Sequence, residues 1–104
     1  MHATIRRYEG IDVTRITDVV GKVNDTLVPK LRELPGFTGY YLIEAGSGVL
    51  SSLRLFETCE QADQSTMVVS KWITDEKLDS AMPNPPKITS GRVVAHSDRV
   101  LAVA

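Results

Sequence analysis

Cysteine is almost missing from this chain: Cys59 stands alone among 104 residues. No intramolecular disulfide can therefore form, and a lone thiol agrees with a reducing compartment. An excess of either charge is missing too. Twelve Lys and Arg stand against thirteen Asp and Glu, which gives a net charge of −1. That balance lacks the electrostatic footprint of a nucleic-acid binder. Arg6, Arg7, Lys30 and Arg32 are interspersed with acids and read as a solvated surface. No apolar run approaches the ~18 residues that a membrane helix needs. The start, Met1 to Arg7, has no apolar core of a secretory signal. A cytoplasmic protein is expected, with neither nucleic acid nor membrane as partner. Gly-rich phosphate loops, metal-ligand spacings of His, Cys or acids, and nucleophile elbows are all absent, so neither metal nor cofactor is expected. Repeats and linkers are absent as well. Pro83-Asn84-Pro85-Pro86 is too short to separate domains, so residues 1–104 are expected to form a single domain.

What is present is a set of periodic segments. Ala3 to Glu9 reads as a strand ended by Gly10, after which Asp12 offers a cap to a helix. Ile16, Val19, Val20, Val23, Leu27, Leu31 and Leu34 then recur at three- and four-residue steps, which places them on one helical stripe. Pro29 removes a backbone donor inside that helix and predicts a kink near Val28; Pro35-Gly36 ends it. Phe37 to Ala45 and Val49 to Glu57 flank Gly46-Ser47-Gly48 and read as a hairpin. Thr58 with Gln61 matches a capping box, opening a second helix that carries Ala62, Val69, Trp72 and Ile73 on one stripe. Thr74-Asp75-Glu76 reads as another cap, opening a short helical turn through Leu78 and Met82. Lys87 to His96 is expected as a fourth strand, and Val100 to Ala104 as a short edge strand. The order β-α-β-β-α-β predicts an α+β, ferredoxin-like fold, with a four-stranded antiparallel sheet and both helices on one face.

That arrangement leaves a sheet face to account for. Tyr41, Ile43 and Ala45 share one side of the third segment, yet Tyr40 and Leu42 share the other. In the next strand Val49, Leu53 and Leu55 oppose Leu50 and Phe56. Two helices cover one face only, and monomers usually avoid leaving an apolar patch of several hundred Å² in water. A second copy of the chain is the economical cover, so a homodimer through the sheet face is expected. The alternative is a twisted sheet with scattered exposed hydrophobics.

Three stretches carry a family resemblance: Leu34-Pro35-Gly36-Phe37-x-Gly39-Tyr40; Leu53-x-Leu55-Phe56-Glu57-Thr58, running into Gln61-Ala62-Asp63-x-Ser65; and Trp72 late in the second helix. With the element order, they make the chain resemble the dimeric α/β-barrel superfamily, and within it the antibiotic biosynthesis monooxygenase (ABM) type of domain. The resemblance implies a dimeric barrel, a small-molecule ligand and, as one possible activity, cofactor-independent oxygenation of an aromatic or enolic substrate. The haem-degrading branch of that superfamily uses an Asn on the first strand and a His late in the second helix. Here the first strand carries Ile5, Arg6, Arg7 and Tyr8, and no His lies between Trp72 and Met82. The quinone-forming branch is associated with an Asn and a Tyr flanking the Trp, where this chain has Val68 and Leu78.

The candidate site residues follow. Trp72 is either a planar wall that stacks on a substrate and donates its indole N–H, or a core tryptophan between helix and sheet. Tyr40 and Tyr41 point to opposite faces, so one of them is a candidate phenol donor in a pocket and the other an interface residue. His96 is the candidate general base, or else a strand-end surface imidazole. Arg54 with Arg92 is a candidate carboxylate clamp, or each pairs with Glu44 or Glu57 across the sheet. Phe56 joins Trp72 and Arg54 as an expected substrate contact. Cys59, at a helix start, is a candidate low-pKa thiol, or a small apolar residue. The alternatives to an oxygenase are a non-catalytic ligand-binding or stress-response protein of the same barrel, and a cofactor-free isomerase or cyclase.

Overall fold

The computed structural model describes residues 1–97. Strand β1 (His2–Tyr8) lies inside a four-stranded sheet. It pairs antiparallel with β3 (Val49–Phe56) on one side and β4 (Lys87–Arg92) on the other, while β2 (Phe37–Gly46) pairs with β3. The order is β2-β3-β1-β4, the ferredoxin-like arrangement that the segment pattern predicts. The hairpin turns through Ser47-Gly48, both at positive φ (54° and 75°), the conformation of a tight two-residue connection. The tail expected as an edge strand, Val100 to Ala104, lies outside the described residues.

All helices lie on one face. The first rod runs through α1 (Ile16–Lys22), a π-helical stretch (Val23–Leu27) and α2 (Val28–Arg32). The irregularity expected near Val28 takes the form of that π stretch. Pro29 has no N–H to offer one turn back and its ring crowds Asp25, so the backbone widens by one residue before it. Val19, Val23, Leu27 and Leu31 are buried from this rod. They meet Tyr8 and Leu50 from the sheet, and Val69 and Trp72 from α3 (Cys59–Asp75). Each such large apolar side chain contributes roughly 1.5–3 kcal/mol by leaving water. The capping box of α3 forms as expected: Gln61 N–H donates to Thr58 Oγ1 at 3.2 Å, and Thr58 N–H donates to Gln61 Oε1 at 3.1 Å.

Two expected boundaries are different in the structure. The turn expected through Leu78 and Met82 forms, with Ala81 N–H and Met82 N–H both donating to Leu78 O at 3.0 Å, but no helix cap opens at Thr74. Instead α3 ends at Asp75, Lys77 takes a positive φ of 56°, and Leu78 and Ala81 plug the core from a turn. Strand β4 stops at Arg92 rather than His96, because its partner β1 begins at His2. Arg92 lies opposite His2, and Val93 N–H makes a last bond to Met1 O at 2.9 Å. His2, not His96, is thus the histidine within a strand.

Gly36 joins the two halves of the fold. Its φ is +76°, its carbonyl accepts from Glu57 N–H at 2.9 Å, and a Cβ there would run into the Gln61 side chain of the capping box. Gly36→Ala is expected to combine left-handed backbone strain with a disturbed cap. It should lower the unfolding free energy by about 2 kcal/mol, read as a lower urea midpoint at unchanged slope.

Candidate functional site

Strand parity decides which side chains reach the space beneath the helices. From β1 these are Thr4, Arg6 and Tyr8; from β3, Leu50, Ser52, Arg54 and Phe56; from β2, Tyr40 and Leu42. Ser52 is the small residue in the middle of this floor, opposite Arg6 on one side and Leu42 on the other. Above it lies a central cavity of about 30 Å³, lined by Tyr40, Ser52, Arg54, Trp72, Val69 and Met82 among others. That volume holds a water or two. It is flanked by two larger clefts. One, of about 360 Å³, lies between the first helical rod and β2 and is lined by Val20, Asn24, Val28, Tyr40, Leu42 and Glu44. The other, of about 390 Å³, is lined by Arg6, Tyr8, Ile73, Asp79 and Met82 and rimmed by Pro83 to Pro86. Tyr40 and Leu42 are shared between the centre and the first cleft; Tyr8, Ile73 and Met82 are shared between the centre and the second.

The floor is unusually polar. Arg54 is 1% exposed and Arg6 is 7% exposed. Arg54 donates to Ser65 Oγ at 3.0 Å and to Thr66 Oγ1 at 3.4 Å, and Arg6 donates to the Tyr8 hydroxyl at 3.2 Å. These partners are neutral. The ion pairs among the described residues join Arg7, Arg15, Lys22 and Lys87 to Glu9 and Asp18, and none involves Arg6 or Arg54. The Nε–H of each of the two arginines is buried without a partner. Burying an uncompensated cation costs several kcal/mol, so this pair opposes folding. Burial, followed by the Arg6 cation, holds the Arg54 pKa down to about 10. Burial pushes the Tyr40 phenol up to about 12, with the neighbouring Arg54 cation partly opposing the shift. At neutral pH Tyr40 is therefore a protonated donor beside a desolvated cation, a combination suited to an anionic or enolic oxygen.

The structure divides the candidate residues predicted from sequence. Tyr40, Arg54 and Trp72 come together at the cavity. The indole N–H of Trp72 donates to Thr26 Oγ1 at 2.6 Å, so Trp72 offers the cavity its ring rather than its donor. The π stretch ahead of Pro29 contains that threonine. Tyr41 and His96 lie on the opposite, open face of the sheet, with Leu53 and Leu55 around a separate hollow, so the sheet stands between them and Trp72. Phe56 is fully buried and packs edge-to-face on Phe37 (centroids 5.7 Å apart, 73°), away from the cavity. Arg54 and Arg92 do not form a clamp, because β1 lies between their strands and Arg92 is exposed. Neither Glu44 nor Glu57 pairs with Arg54. Cys59 is exposed, and its thiol pKa is raised, by desolvation first and then by Asp63 and Glu60, the reverse of an activated thiol.

Sequence reasoning missed Arg6, read as solvated, and Glu44 as a carboxylate lining the same cleft as Tyr40. The signal for Arg6 was its in-phase spacing with Tyr8. No group of three or more His, Cys, Asp or Glu among the described residues is placed to hold a metal ion, and no helix among them is long and apolar enough to cross a membrane.

The raised Tyr40 pKa has a pH signature. Between the ordinary phenol value of about 10 and the folded value of about 12, the unfolded chain loses this proton and the native one keeps it. The Tyr40 contribution to stability is therefore full below about pH 10 and falls as pH rises from there. A pH-jump titration of tyrosinate absorbance should show one phenol ionising near pH 12, and Tyr40→Phe should remove that step.

Comparison with known proteins places this geometry. No family model and no curated protein matches the chain. Solved structures do. A protein of unknown function from Nitrosomonas europaea superposes with a TM-score of 0.75 at 14% identity, covering 95% of this chain and 94% of its own. The ActVA-Orf6 monooxygenase of Streptomyces coelicolor, solved with nanaomycin D, gives 0.71 at 15% identity, covering 95% and 92%. A further antibiotic biosynthesis monooxygenase gives 0.69 at 17% identity, covering 91% and 100%. At such identities the likeness concerns the backbone, and the activity has to be argued from the site. The chain has the ferredoxin-like α+β fold of the antibiotic biosynthesis monooxygenases.

Proposed function

We propose that this chain is a small-molecule enzyme of the ABM type, a cofactor-independent monooxygenase of an aromatic or enolic substrate bound beneath the helices. The observation that carries the reading is the neutral Tyr40 phenol set beside the desolvated Arg54 cation at the cavity beneath the helices. A substrate held beneath the helices would turn its ring towards Trp72, which is held from behind by Thr26. Tyr40 would donate to the carbonyl or phenol oxygen, and the Arg54 field would favour the enolate over the neutral form. Glu44 lines the cleft along β2, four residues along the strand from Tyr40 (roughly 13 Å), so a proton released by the substrate would reach it through water. The electron-rich enolate then reduces dioxygen directly. An activated CH₂ and O₂ give C=O and H₂O, with one oxygen atom retained and the other leaving as water. A shared fold with monooxygenases supports this reading.

The assembly belongs to the same reading. Ile5, Tyr41 and Ile43 are 41%, 59% and 55% exposed on the open face, flanked by half-buried Leu53 and Leu55, and no helix among the described residues covers them. A second copy seated face to face would close a barrel. Two-fold symmetry lets one patch serve both sides. A single 1–104 domain would thus form half of the functional unit.

A non-catalytic binder of the same fold is the second reading. The observation favouring it is that no histidine or carboxylate among the described residues lines the central cavity.

Oxygen uptake with anthrone- and hydroquinone-type substrates should proceed without added metal or flavin. Tyr40→Phe should lower kcat about 10²-fold, as loss of one oxyanion donor does elsewhere. Binding of these compounds without oxygen consumption would replace the enzyme by the binder. For the assembly, Tyr41→Asp should convert a dimer to a monomer in light scattering at micromolar concentration; a wild-type monomer would remove the face-to-face arrangement.

A further inference from the structure

The two buried guanidinium groups ask for more than an enolate. Arg54 already spends two N–H groups on Ser65 and Thr66, and Arg6 spends one on Tyr8. Their Nε–H groups stay buried and unpaired. A side chain so buried and so charged is costly, and its neutral hydroxyl partners do not offset the charge. One enolate oxygen at Tyr40 would leave Arg6 unserved, because Arg6 faces the other cleft, the one rimmed by Pro83 to Pro86. That cleft reaches the centre through the shared walls Tyr8, Ile73 and Met82. Its volume of about 390 Å³ suits a ring of drug-like size with one substituent. Asp79 also lines it, at an exposed position on the lip. An anion would therefore be held deep, against the arginines, rather than at the entrance.

We propose that the ligand carries a carboxylate, admitted through the proline-rimmed cleft and held by Arg6 with Arg54 behind it. The carboxylate is an anchor, distinct from the oxygen that Tyr40 contacts. A planar two-oxygen anion matches the guanidinium fork as a single oxygen does not. The substrate class is thereby an aromatic or enolic organic acid, whose ring spans from the Arg6 cleft towards Trp72. The inference deepens the preceding reading, taking from it only that the space beneath the helices is a ligand site.

Benzoate and its neutral counterpart benzamide test this without dioxygen. Affinity is read by calorimetry and by the shift of the indole N–H resonance, which belongs to Trp72 because the chain has one tryptophan. Benzoate should bind about tenfold or more tightly than benzamide, raise Tm and move the indole resonance. Arg6→Gln and Arg54→Met should each erase that preference. Arg54→Met should also have a higher Tm than wild type in the absence of ligand, because an unneutralised charge is replaced by a packing side chain. Equal binding of benzoate and benzamide would overturn the proposal, as would an unchanged preference in both variants. So would an Arg54→Met protein less stable than wild type that still prefers benzoate, since Arg54 would then be a structural hydrogen-bonding residue. Equal protection by chloride or sulfate would overturn the organic-acid assignment. Carboxylate preference without oxygen consumption would fail the oxygenase and keep this inference. Oxygen consumption on neutral phenols without carboxylate preference would do the reverse.

Discussion

Everything in this molecule is sorted by a covering constraint: the helices lie on one face of the sheet only. The two-residue period of a strand then assigns each side chain either to the space beneath the helices or to the open face. Tyr40 and Arg54 go one way, Tyr41 and Leu53 the other, although they are sequence neighbours on adjacent strands. The covered face combines the packing of Leu27, Leu31 and Leu50 with a charged, hydroxyl-bearing centre around Ser52. The open face is mostly aliphatic and aromatic. A protein built for stability alone would have reversed this allocation, with the arginines in water and Ile5 in the core.

The helical irregularity serves the same centre. Pro29 forces the rod to widen, and the widened stretch supplies Thr26, whose hydroxyl accepts from Trp72 and donates to Lys22 O at 2.8 Å. The indole is thereby satisfied from behind, and its ring is presented to the cavity in a fixed orientation. A buried indole N–H left unpaired would cost about 1–3 kcal/mol, so the hydrogen bond and the widening support each other. Leu78 and Ala81, fully buried from an irregular turn, close the end of the core where α3 stops.

Much of the architecture was legible in the sequence. The stripe from Val19 to Leu31, the capping box at Thr58 and the apolar residues on both faces of the hairpin are local signals, and local rules read them correctly. The candidate site was half legible. Trp72, Tyr40 and Arg54 stood out by residue type, but which tyrosine faced the helices depended on a three-dimensional choice of face. Arg6 was misread because charge usually means solvent, and only the central position of β1 overrides that rule. His96 was misplaced because strand length in a sheet is set by the partner. β4 pairs with β1 as far as Arg92 opposite His2, and His96 lies past that register. The turn at Lys77 was missed because no glycine announces its left-handed backbone.

The mixed character of both faces also bears on how the chain finds its register. In most half-covered sheets, a strand slipped by one residue puts its polar row into the core and is rejected at once. Here the slipped β1 would bring Ala3 and Ile5 under the helices, and a slipped β2 would bring Tyr41 and Ile43, so hydrophobic matching discriminates poorly. The decision falls instead on the hairpin turn. Positive φ at Ser47 and Gly48, with the irregularity between Glu44 and Gly46, fixes how β2 meets β3. In this chain a two-residue turn specifies the register that the pattern of hydrophobic residues specifies in others.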